Sequence, residues 1–133
     1  MAPKVLVADD DPIMHQVLQH YLERNGFEMI NASNGHQALE LAVRELPNVI
    51  VLDVRMPELG GLAALRRLKE TEATKAIPVI IVTVNDDRVT YMESQVSGAA
   101  AFLSKPFRPA ELLEHIKRLI PGSSTGAGTE ANT

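Results

Sequence analysis

The chain has 133 residues, 45% of them hydrophobic, which suffices for one sizeable core and sets a single domain as the expectation. It has no cysteine, which excludes disulfide frameworks, thiolate metal sites and cysteine nucleophiles and suits a cytoplasmic location. A net charge of -4 and an aromatic content of 4% supply neither a basic surface to track phosphates nor rings to stack on bases, so no direct nucleic-acid binding is expected.

The N-terminal stretch MAPKVLVADDDP meets three acids after only about five apolar residues, too few for a signal-peptide core, and no later run approaches the ~18 apolar residues of a membrane span. KVLVA (4–8) reads as a first strand that runs into Asp9, Asp10 and Asp11. Asp11 before Pro12 is a good N-cap, and Gly26 is placed to close a helix over 12–25 with Ile13, Val17, Leu18, Tyr21 and Leu22 on its apolar face. FEMIN (27–31) is a second strand, and 35–46 a second helix with Ala38, Leu41, Ala42 and Leu46 inward. NVIVLD (48–53) is a third strand that stops on a carboxylate, Asp53, followed by Arg55-Met56-Pro57 and a glycine pair.

A third helix over 61–71 is carried by Leu62, Leu65 and Leu68, and its basic RRLK run (66–69) reads as a solvated face. IPVIIVT (77–83) is a fourth strand, and 87–97 a fourth helix with a sparse stripe of Val89, Met92 and Val96. AAFLS (100–104) is a fifth strand leading to Lys105-Pro106. The last helix, 109–120, has Leu112, Leu113, Ile116, Leu119 and Ile120, but Arg108 is a poor N-cap and predicts an irregular start. Residues 122–133, GSSTGAGTEANT, offer no apolar side chain larger than alanine, so the expected domain is 1–121, followed by a disordered tail or truncated linker.

Strands alternating with helices, two of the strands apolar on both faces, predict a doubly wound parallel α/β domain. In such folds ligands sit beyond the carboxyl ends of the strands. Those ends deliver Asp9 to Asp11, Asp53, Thr83 and Ser104-Lys105-Pro106. Two carboxylates ~4 Å apart repel by ~4 kcal/mol at an effective dielectric near 20, so gathering three calls for a cation. Oxygen ligands without histidine or cysteine suit a hard ion such as Mg2+, left open to a phosphate.

LVADDDP, VLDVRMP with GGL after it, IIVT and AFLSKPF together resemble the receiver domains of two-component response regulators, of the chemotaxis-regulator type, over residues 4–120. That resemblance implies a flavodoxin-like fold with five parallel strands in the order 2-1-3-4-5 and five helices. It also implies that Asp53 accepts a phosphoryl group from a phosphohistidine of a histidine kinase or histidine phosphotransfer protein. Mg2+, with Mn2+ able to substitute, would be held by Asp10 and Asp53, by Asp9 through bound water and by the Arg55 carbonyl. Thr83 and Lys105 would bind phosphoryl oxygens, Lys105-Pro106 would be a cis peptide, and Thr83 with Phe102 would form the switch. The face of helix 4, strand 5 and helix 5 would then control a downstream effector or a missing C-terminal output domain. Met14 and Phe107 are expected to contact the phosphodonor.

Some positions depart from the pattern of that family. Gly60 stands where an aspartate is common, and Val84 where a smaller residue is. With Arg55 and Asn85, Val84 would border the path of a hydrolytic water, which predicts slow loss of the phosphoryl group. His15, His20, His36 and His115 have no metal-like partner at close spacing and read as helix-face residues. Two other classes fit less well. A phosphohydrolase of the haloacid-dehalogenase type needs an acid two residues beyond its nucleophile, where this chain has Arg55. A flavodoxin needs a phosphate cradle where this chain has the acidic turn.

Overall fold

Successive residues of a strand point to opposite faces of its sheet, so a strand apolar throughout needs a core on each side. The computed structural model describes residues 2–84 and 88–120. Its strands β1 (Lys4–Ala8), β2 (Glu28–Ala32), β3 (Val49–Asp53), β4 (Val79–Thr83) and β5 (Ala101–Ser104) form one parallel sheet in the order β2-β1-β3-β4-β5. The helices that follow them are α1 (Pro12–Arg24), α2 (Gly35–Glu45), α3 (Gly61–Glu70), α4 (Arg88–Val96) and α5 (Pro109–Leu119). This is the doubly wound, flavodoxin-like arrangement expected from the sequence. The tail expected from residue 122 lies outside the described residues.

Val5, Val7, Val49, Val51, Ile80 and Val82 pack with Leu18 and Leu22 of α1 and Leu112, Leu113 and Ile116 of α5. Their neighbours along the strands, Leu6, Ala8, Ile50, Leu52, Val79 and Ile81, pack with Ala38 and Ala42 of α2 and Ala64, Leu65 and Leu68 of α3. Each fully buried leucine or isoleucine contributes roughly 1.5–3 kcal/mol relative to exposure. The three central strands therefore carry a core on each face of the sheet. Ala8 lies opposite Leu52, Asp53 opposite Val82 and Thr83 opposite Ser104. Four strand ends thus finish within two residues of one another, and the residues that follow them share one edge.

The helices show where apolar periodicity misleads. In α1, Leu18 and Leu22 are buried with Met14 and Tyr21 packed beside them, whereas Ile13 and Val17 are 68% and 49% exposed. Ile13 and Val17 each sit one residue, about 100°, behind Met14 and Leu18, and a helix on one face of a sheet buries only a narrow stripe. Leu46, expected inward, is the exposed C-cap of α2 in the left-handed region at φ 47. The stripe of α4 is turned outward: Val89, Met92 and Val96 are exposed and the buried residue is Ser94, whose hydroxyl donates to the Tyr91 carbonyl at 2.7 Å. The start of α5 is regular, against expectation. Glu111, three residues in, accepts the Arg108 N–H at 2.9 Å and so supplies the cap that the arginine side chain lacks.

Candidate functional site

Asp9 follows the last residue of β1, and Asp53 ends β3. Because Ala8 and Leu52 are paired, the two carboxylates emerge side by side on neighbouring strands. Both are buried, at 4% and 7% exposure, while Asp10 is exposed. One oxygen from each of Asp9, Asp10 and Asp53 lies within 4.8 Å of the others.

β5 brings the counter-charge. The Lys105 backbone N–H donates to the Thr83 carbonyl at 2.8 Å, which extends the β4–β5 pairing by one residue, and the Lys105-Pro106 peptide is cis. The Lys105 ammonium sits 2.7 Å from Asp9 Oδ2 and 3.3 Å from Asp53 Oδ2. Asp9 Oδ1 accepts the Asp11 N–H at 2.9 Å, and Asp11 Oδ1 accepts the Ile13 N–H at 3.0 Å as the N-cap of α1. Asp53 Oδ1 receives the Arg55 N–H at 3.4 Å, a longer and weaker contact. The loop after β3 folds back tightly. The Gly61 N–H donates to the Val54 carbonyl at 3.0 Å, and a Cβ at Gly61 would collide with the Asp53 carbonyl.

The charges do not balance. Burial, and then the charge of Asp9, push the Asp53 carboxyl above the ordinary carboxylate range, against the pull of Lys105 and the Arg55 N–H. Burial works against the Lys105 ammonium too, but its hydrogen bond to Asp9 and the charges of Asp53 and Asp9 raise it overall. Among the described residues three carboxylates gather here, and the Lys105 ammonium pairs with two of them. The set is all oxygen, negative in sum and open on the Asp10 side, which fits a hard divalent cation.

Thr83 is fully buried at the end of β4, and Phe102, opposite Ile81 on β5, is half-buried against the second core. The Phe102 ring meets Tyr91 of α4 edge to face, with centroids 5.3 Å apart. Arg55 is exposed, and so is Val84, at 59%. Asn85 lies outside the described residues. Met14 and Phe107 pack against the first core, so the apolar groups that α1 presents outward are Ile13 and Val17.

Sequence reasoning missed His15. It reads as one more residue of a helix face, yet its Nε2 lies 2.6 Å from the Asp9 carbonyl and its Nδ1 3.0 Å from Asn31 Oδ1 on β2. The signal was its place four residues after Asp11, where the first turn of α1 brings a side chain back over the acidic turn.

Residues 5–117 match the sequence model of the family described as response regulator receiver domain. The alkaline phosphatase synthesis transcriptional regulatory protein PhoP of Bacillus subtilis (strain 168) is 34% identical over 127 residues, 96% of this chain and 52% of that protein. The chain spans about half the length of the curated relatives it matches. Among solved structures, the receiver domain of the Francisella response regulator 1452 superposes with a TM-score of 0.84 at 35% identity, covering 92% of this chain and 99% of that one. The receiver domain of the sensor histidine kinase PA1611 from Pseudomonas aeruginosa PAO1, solved with a magnesium ion in its active-site cleft, has a TM-score of 0.83 at 28% identity, covering 90% and 98%. No helix among the described residues is long and apolar enough to cross a membrane.

Proposed function

The chain belongs to the response regulator receiver domain family, and on that footing we propose that Asp53 is its phosphoacceptor, charged from a phosphohistidine of a histidine kinase or histidine phosphotransfer protein. The observation that carries this is the Lys105 ammonium lodged between Asp9 and Asp53, with Asp10 alongside, at the ends of three strands. An Asp53 oxygen attacks phosphorus as the bond from phosphorus to the imidazole nitrogen breaks. The electron pair returns to the imidazole, and Asp53 becomes an acyl phosphate. Such a transition state is loose and anionic, so positioning and charge neutralisation do most of the catalysis. Asp10, Asp53, the Arg55 carbonyl and, through water, Asp9 would hold Mg2+, or Mn2+ in its place; when bound it offsets charge on the phosphoryl oxygens.

Lys105 is placed to transfer part of its hydrogen bonding from the two carboxylates to the incoming phosphoryl group. Asp9 keeps it aimed there. Phosphorylation adds charge and acceptor oxygens that draw in the Thr83 hydroxyl, and the volume it leaves admits Phe102. Half-burial of Phe102 and its edge contact with the exposed Tyr91 support that switch. The phosphodonor docks across α1 and the loop after β5, with Ile13 and Val17 as its apolar footholds. The surface of α4, β5 and α5 serves a downstream effector or an output domain.

The test is phosphorylation by acetyl phosphate with and without Mg2+, followed by intact-mass measurement. One phosphoryl group should be added, only with the metal present and not to Asp53→Asn. Incorporation by that variant at the wild-type rate would overturn the assignment.

A further inference from the structure

Each polar atom of Asp9 has a partner, and one of those partners is a histidine that phosphoryl transfer does not require. The Asp9 N–H donates to Ala32, its Oδ1 accepts from Asp11, its Oδ2 holds Lys105, and its carbonyl takes the Nε2 of His15. At Asp9 the chain leaves the sheet for α1, so this nearly buried carbonyl depends on the helix for a donor.

The ring that supplies it is held from behind. His15 Nδ1 faces Asn31 Oδ1, Asn31 Nδ2 donates to Gln19 Oε1 at 3.3 Å, and Gln19 Nε2 donates to Glu23 Oε2 at 3.1 Å. Both ring nitrogens thus face oxygen acceptors, and a neutral imidazole has one N–H to give; the shorter contact, 2.6 Å against 3.0 Å, is the one to the Asp9 carbonyl. Residues 15, 19 and 23 are spaced four apart on α1, and Asn31 is fixed on β2 opposite Val7.

We propose that His15 is a positioning residue of the acidic site: by pinning the Asp9 carbonyl it fixes the angle at which the Asp9 carboxylate meets Lys105 and a bound divalent cation. The proposal rests on the reading of that site as a Mg2+ site. Partners of this kind behind a metal ligand commonly govern affinity tenfold or more.

Glutamine and asparagine at this position separate the two ring nitrogens. The amide nitrogen of His15→Gln reaches the place of Nε2, whereas that of His15→Asn reaches only the place of Nδ1. Calorimetric titration with Mg2+ should give His15→Asn and His15→Ala about tenfold weaker binding than wild type, with His15→Gln close to wild type. Metal-free melting temperatures of the Gln and Asn variants should agree. In the metal-free wild type, NMR should show a slowly exchanging His15 Nε2 proton. Wild-type affinity in His15→Asn, an equal loss in His15→Gln, or a freely exchanging Nε2 proton would each overturn the positioning role. Absence of Mg2+ binding by the wild type would overturn the reading of the site itself, and the role of His15 with it.

Discussion

Lys105 lies closer to Asp9 than to Asp53, at 2.7 Å against 3.3 Å. On the proposed assignment, the carboxylate that does not react therefore holds the ammonium the more firmly, and the proposed acceptor is left the freer of the two. Lys105→Met should slow phosphorylation by acetyl phosphate about 100-fold, the scale of losing one donor to a developing anion. It should also destabilise the metal-free protein by about 2 kcal/mol, because two buried carboxylates lose their shared partner. Stopped-flow kinetics and urea unfolding would measure both, and a variant that phosphorylates normally would remove Lys105 from the mechanism.

The raised carboxyl of Asp53 fixes a sign for stability against pH. A folded-state value above the unfolded one means that the folded protein holds this proton more tightly. The contribution of the group is then full below the ordinary carboxylate value of 3.8 and is lost as pH rises through the folded value. Without Mg2+, Asp53→Asn should therefore be more stable than wild type at neutral pH, by roughly 1 kcal/mol. The gap should close in acid. Paired thermal melts across that range would check it, and a less stable Asp53→Asn at neutral pH would contradict the sign.

Gly61 is held by contact as well as by its place in the turn. An added methyl would strike the carbonyl of Asp53, so Gly61→Ala must displace either the loop or the end of β3. A loss of about 2 kcal/mol is expected, the scale of overpacking, together with slower phosphorylation. Phosphorylation at the wild-type rate would show that the loop yields without moving Asp53.

Val84 and Arg55 are both exposed beside the strand ends, where a hydrolytic water would approach phosphorylated Asp53. Val84→Ala and Arg55→Ala should each hasten loss of the phosphoryl group, and a tenfold effect corresponds to only ~1.4 kcal/mol in the barrier. Dephosphorylation followed in excess Mg2+ would decide whether access limits the rate.

The parallel α/β class and the acidic edge were legible in the sequence because both depend on local signals, whereas the strand order followed only from the resemblance to receiver domains. Apolar runs such as VIVL and VIIV require cover on two faces, and a strand that stops on Asp53 announces the site by its own sequence. What was not legible depended on where each helix settled. Periodicity groups Val89, Met92 and Val96 on one face of α4, but only the packing shows that this face looks away from the sheet and that Ser94 looks toward it. The α5 cap was missed because it comes from Glu111 instead of the N-cap itself. His15 was missed because its partners lie far apart in sequence, Asp9 just past the end of β1 and Asn31 on β2.

The outward stripe of α4 bears on how the proposed switch would respond to temperature. Heat-capacity change follows the apolar area exposed or covered, at about 0.45 cal/K/mol per Å². A helix whose buried residue is a serine can shift without uncovering much hydrocarbon. The equilibrium between its resting and displaced positions should then carry almost no heat-capacity term. A van't Hoff plot of that equilibrium should be close to straight, while the unfolding of the same domain, which opens both cores, traces a curve.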